Sequence, residues 1–82
     1  MKPAVLIDSV ILIDHLRGIA AATAWLRSLK EGEGVISVIT RAEVLSGGTD
    51  EESAAAFDLC EHFPCLPLTR EAADLAAKLR RA

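Results

Sequence analysis

The chain has 82 residues, 51% of them apolar and 26% charged, with 5 Gly, 3 Pro and no Tyr. That is room for one small domain, too apolar for disorder, and no apolar run approaches the ~18 residues of a membrane span. With 9 Lys+Arg against 12 Asp+Glu the net charge is −3, which argues against a broad basic face for duplex DNA.

Mild acidity leaves nucleic acid open as a substrate, because a metal held by carboxylates can meet a phosphate that the side chains alone would repel. No signal peptide is expected. Asp8 interrupts the apolar start, and no small-residue cleavage site follows. The 2 Cys then read as free thiols in a reducing cytoplasm.

Ala4-Val5-Leu6-Ile7 is apolar without alternation, the pattern of a strand buried on both faces. Asp8-Ser9 ends it and opens a helix through Leu16, stopped at Gly18. Ala22, Trp25, Leu26 and Leu29 make the stripe of a second helix over Ala20–Lys30. Val35-Ile36-Ser37-Val38-Ile39 is mostly β-branched and predicts a second buried strand. Thr40-Arg41-Ala42-Glu43 has the capping-box pattern of a helix start, and Gly47-Gly48 ends that helix. Thr49 and Glu52 repeat the box ahead of a helix with the stripe Ala56, Leu59, Cys60 and Phe63. Pro64 stops it. Cys65-Leu66-Pro67-Leu68 is a third strand, placed at a sheet edge because Pro67 lacks a donor. Thr69 caps a last helix with the stripe Ala72, Leu75, Ala76 and Leu79. Its acids Glu71 and Asp74 lie near the start and Lys78, Arg80 and Arg81 near the end, as the helix dipole favours.

The order β-α-α-β-α-α-β-α predicts a parallel α/β sheet with helices on both faces. The first strand should have neighbours on both sides, and the sequence offers a candidate for one. The last helix shows no Gly or Pro terminator. Residues 1–82 are therefore expected to be the front part of one longer domain, with further strands absent.

Ligands of such a sheet sit outside the carboxyl ends of the strands. Asp8 ends the first strand, and Glu43 lies one turn into the helix after the second. Two hard oxygen donors without His or Cys suit Mg2+ or Mn2+ rather than zinc. Each residue also has a plainer reading. Asp8 suits a helix N-cap, with Ser9 assisting, and Glu43 suits the partner of Thr40 in a capping box. Asp14 reads as a surface partner of Arg17. Arg41 reads either as a phosphate contact or as a solvated helix arginine. Trp25 reads as core or as an association surface. Cys60, His62 and Cys65 offer only three soft ligands and read as ordinary thiols and a histidine.

Val5-Leu6-Ile7-Asp8-Ser9-Val10-Ile11-Leu12-Ile13-Asp14-His15-Leu16-Arg17-Gly18 resembles the opening motif of PIN-domain ribonucleases, especially VapC-type toxins. Ile36-Ser37-Val38-Ile39-Thr40-Arg41-Ala42-Glu43-Val44-Leu45-Ser46-Gly47 is similar to their second motif. Leu66-Pro67-Leu68-Thr69 and the Ala-rich helix after it are similar to the third strand and its helix. The resemblance implies a three-layer α/β/α PIN-like fold and an Mg2+- or Mn2+-dependent endoribonuclease of a toxin–antitoxin pair. It implies Asp8 and Glu43 as metal ligands, with Ser9 and Thr40 behind them. RNA, a cognate antitoxin and a second copy are the partners implied.

The family's later acidic residues have no counterpart in residues 1–82. Two carboxylates neutralise one Mg2+, so weak metal binding and no activity are expected of these residues alone. The alternative is a catalytically incomplete module that binds an antitoxin or a second copy. A phosphoacceptor receiver is a poor match, because Asp8 is a single acid and Leu68-Thr69-Arg70 follows the third strand. No Gly-rich nucleotide-binding loop is present.

Overall fold

The computed structural model describes residues 4–67 and 69–81, with backbone alone at 76 and 79–81. The elements run β1 (Val5–Leu6), α1 (Ser9–Leu16), α2 (Ala20–Ser28), β2 (Gly34–Ser37), α3 (Val38–Ser46), α4 (Asp50–Glu61), β3 (Cys65–Leu66) and α5 (Arg70–Arg81). This is the expected order. The sheet is parallel, in the order β1-β2-β3. The third strand therefore lies at an edge, as Pro67 requires. β1 lies at the other edge, and β2 is its single sheet partner among the described residues. Leu68, placed in the third strand by sequence, falls outside the described residues, as do the Ala76 and Leu79 side chains of the last stripe.

Register assigns the two faces of the sheet. Leu6 pairs with Val35, and Ser37 pairs with Leu66. Side chains alternate along a strand, so Leu6, Val35, Ser37 and Leu66 share one face while Ile7 and Ile36 take the other. Ile7 and Ile36 are both 0% exposed and pack with Leu12, Val44, Ala56 and Cys60 beneath α1, α3 and α4. Each buried aliphatic side chain contributes about 1.5–3 kcal/mol of transfer free energy. On the opposite face α5 contacts β1, and its Ala72, Ala73 and Ala77 line a cleft left between that helix and the sheet. Helices thus cover both faces of the sheet, giving the expected three-layer arrangement.

The stripes of α2 and α4 are placed as their spacing predicts, except at Trp25. Leu26, Leu29, Leu59 and Phe63 pack against the core, while Trp25 stays partly exposed. His15 Nδ1 lies 2.8 Å from Thr23 Oγ1, which ties α1 to α2. The turn between those helices needs Gly18, whose φ is +82°. The Gly18 amide donates to the His15 carbonyl and the Ile19 amide to the Asp14 carbonyl, both at 3.0 Å. Those bonds satisfy carbonyls at the end of α1. Gly34 answers a different need. A Cβ there would stand 2.7 Å from Ile7 Cδ1, with Leu29 and Phe63 also crowding it.

The second strand is shorter than its β-branched run suggests. It ends at Ser37, and Val38-Ile39 form the first turn of α3. The helix is capped by Ser37, whose Oγ accepts the Thr40 amide at 3.0 Å. The predicted capping box of Thr40 and Glu43 is therefore not formed. The same pattern at Thr49 and Glu52 is formed, with both reciprocal bonds present.

The core makes two measurable claims. Ile36→Ala should cost about 2–5 kcal/mol, read as a lower denaturant midpoint with an unchanged slope; an unshifted midpoint would contradict the packing described. The thiols should react in two phases. Cys65 is exposed, whereas Cys60 is buried and burial pushes its thiol pKa up, against a smaller opposing effect of Arg41. A thiol reagent should label Cys65 under native conditions and Cys60 only on unfolding. Equal native rates would contradict the burial of Cys60.

Candidate active site

The carboxyl ends of the three strands open into a cleft of about 410 Å³. Leu6, Ser37 and Leu66 line its floor, from the sheet face defined above. The start of α3 supplies Val38, Ile39, Thr40 and Glu43, and Pro67 and Thr69 lead into α5 along the far wall. The cleft is where an open parallel sheet places its ligands.

Asp8 follows β1 in extended conformation, at φ −77° and ψ 149°. Continuing the Leu6–Val35 pairing sets Asp8 level with Ser37, at the end of the neighbouring strand. Asp8 is the N-cap of α1, so the plainer reading of this residue holds. The cap is a weak one. Oδ1 accepts the Val10 amide at 3.4 Å and the Ser9 hydroxyl at 3.3 Å. Both distances lie beyond the usual range for such bonds. Oδ2 has no protein partner among the described residues. Capping and ligation are thus compatible in one carboxylate, with one oxygen for each. Ser9 is buried behind Asp8 and holds the occupied oxygen.

Glu43 is exposed and lies on the cleft side of α3. With the cap taken by Ser37, its carboxylate is not turned back to Thr40. Among the described residues it has no hydrogen-bond or ion-pair partner. Thr40 is 3% exposed, lines the cleft beside Glu43, and accepts a hydrogen bond from the Ser37 hydroxyl at 3.2 Å. Ser37 itself is the polar residue that the sequence analysis did not single out. Its signal was present: it is the first residue able to cap a helix after the buried Ile36.

The remaining polar residues lie elsewhere. Arg41 turns toward α4, where its guanidinium pairs with Glu61 at 2.9 Å and stands 5.2 Å from the Phe57 ring centroid. Arg41 is not among the residues lining the cleft. Asp14 forms no ion pair with Arg17 among the described residues. No group of three or more His, Cys, Asp and Glu able to hold a metal occurs among the described residues, which removes Cys60, His62 and Cys65 as a soft-metal site. Asp8 and Glu43 are hard oxygen donors, the kind that suits a divalent ion of the Mg2+ class; Glu43 lines the cleft from within α3, whereas Asp8, at the start of α1, is not among its lining residues. No helix among the described residues is long and apolar enough to cross a membrane.

Comparison with known proteins agrees with this architecture. Ribonuclease VapC10 of Mycobacterium tuberculosis, from strains CDC 1551 / Oshkosh and ATCC 25618 / H37Rv, is 39% identical over 83 residues, covering 95% of this chain. The chain spans 62% of the length of those relatives. No solved structure matches it significantly. The PIN domain family matches residues 5–82, the span from the first residue of β1 through α5. With that match over a parallel sheet whose first two strands lead into Asp8 and Glu43, the chain belongs to the PIN-domain family.

Proposed function

We propose that this chain carries part of the catalytic centre of a VapC-type endoribonuclease, with Asp8 and Glu43 as ligands of Mg2+ or Mn2+. The observation that carries the reading is the pairing of β1 with β2, which sets Asp8 level with the strand-to-helix turn that leads into Glu43. Support comes also from the 39% identity to a protein described as a ribonuclease.

On this reading the Asp8 carboxylate, whose Oδ1 accepts from Ser9 and Val10, and the Glu43 carboxylate in α3 would together hold the ion. A bound divalent ion would supply charge neutralisation and activation of water for in-line attack on an RNA phosphodiester. Water, phosphate oxygens and carboxylates supplied from elsewhere would complete its coordination. Without the ion, two carboxylates would repel the phosphate backbone.

The partners on the same reading are RNA, a cognate antitoxin and a second copy of the chain, in the cytoplasm. The alternative is a catalytically incomplete module that pairs with an antitoxin or a second copy. Metal-dependent cleavage separates the two readings.

Asp8→Asn keeps an N-cap acceptor and removes the charge, so stability should change by less than about 1 kcal/mol. Mn2+ affinity and RNA cleavage by the full-length protein should nevertheless fall, by about a hundredfold in rate for the loss of a few kcal/mol of charge stabilisation. Glu43→Gln, on an exposed helix face, should behave likewise. Cleavage that survives both substitutions would sink the catalytic reading. Antitoxin binding without any cleavage by the wild type would favour the binding module.

A further inference from the structure

The helix that carries Glu43 is fastened at its start by a pair of hydroxyls. Ser37 ends β2, and its Oγ accepts the Thr40 amide at 3.0 Å. The same hydroxyl donates to Thr40 Oγ1 at 3.2 Å. Thr40 is almost wholly buried, so bulk water cannot replace that partner. Thr40 and Glu43 are three residues apart in α3 and so are neighbours on the helix surface. Ser37, Thr40 and Glu43 all line the cleft.

The strand side of this joint is equally defined. β2 is the central strand, held by β1 on one side and β3 on the other. Ser37 pairs with Leu66 in β3 and stands level with Asp8 by the register of β1. The position of Glu43 relative to Asp8 is therefore transmitted through one turn, from the end of β2 into α3. Ser37 is the residue at that turn. Its hydroxyl fixes the first turn of the helix by two bonds, and Glu43 follows one turn later.

We propose that Ser37 is a positioning residue: its hydroxyl sets the first turn of α3 so that the Glu43 carboxylate meets the ion shared with Asp8. The inference rests on the metal-site reading of Asp8 and Glu43. Ser37 does not touch the ion. It acts through Thr40 and the helix backbone, as groups behind metal ligands commonly do. Removing its hydroxyl leaves the Thr40 amide without its cap and the Thr40 hydroxyl without its donor. The first turn then loosens, and Glu43 spends less time in the orientation that ligates.

The test is Mn2+ binding to the full-length protein, read from the electron paramagnetic resonance of the free ion. Ser37→Ala should weaken binding about tenfold. Ser37→Thr keeps a capping hydroxyl and should restore affinity. In a Glu43→Gln background, Ser37→Ala should add nothing further, because the residue through which it acts has lost its charge. If Ser37→Ala fails to fold, Ser37→Gly carries the same test, since it keeps a favourable cap residue without the hydroxyl. Unchanged affinity in the hydroxyl-lacking variant overturns the positioning role, as does an equal loss with and without Glu43. The metal-site reading fails separately, through a Glu43→Gln variant that binds as the wild type does or a wild type without saturable binding.

Discussion

The Ile7 amide donates to the Val35 carbonyl at 2.9 Å, and the Ile36 amide donates to the Pro64 carbonyl at 3.0 Å. These bonds hold the three strands at one level, and most of the molecule follows from that level. On one face it brings Ile7 beside Ile36, and the helices close over them. On the other it exposes Leu6, Ser37 and Leu66 as the floor of a cleft. At the carboxyl ends it sets Asp8 and Ser37 side by side. A slip of one residue in β1 would turn Ile7 to the cleft face, away from Ile36, and open the core. Register in this sheet is thus enforced by burial, and the site inherits its geometry from the core.

Helix caps then decide how the strand ends are used. Asp8 caps α1 through long bonds to one oxygen. Ser37 caps α3 through a short bond and a second bond to a buried threonine. The two differ in consequence. A loosely held acceptor at Asp8 leaves carboxylate capacity for a ligand, whereas the tight cap at Ser37 leaves Glu43 out of any box. The acidic side chains of Asp8, after β1, and Glu43, in α3, therefore keep oxygen atoms available, and both are exposed, so neither requires an unsatisfied buried group.

Much of this was legible from the residues. Short apolar runs separated by amphipathic helices specified a parallel sheet, Pro67 specified an edge, and the stripes of α2 and α4 specified which side chains reach the core. Asp8 stood out because an acid directly after a buried strand is chemically conspicuous. The start of α3 differs from the expectation for a physical reason. Val38 and Ile39 are β-branched, and strand propensity in a short run reflects packing more than backbone preference. They sit in the first helical turn because Ser37 offers a cap immediately before them. The same Thr-x-x-Glu spacing thus closes a box at Thr49, after two glycines, and fails to close one at Thr40, after a better-placed serine. Arg41 was equally beyond sequence reasoning, since its partners Glu61 and Phe57 are close only once α3 packs on α4.

The most direct test of the account is a crystal structure of the full-length protein soaked in Mn2+, read from its anomalous scattering. A peak bonded to Asp8 and Glu43 oxygens at the ends of β1 and β2 is the result predicted. A cleft in which those carboxylates point to opposite faces of the sheet, or a saturating peak held elsewhere, would contradict it.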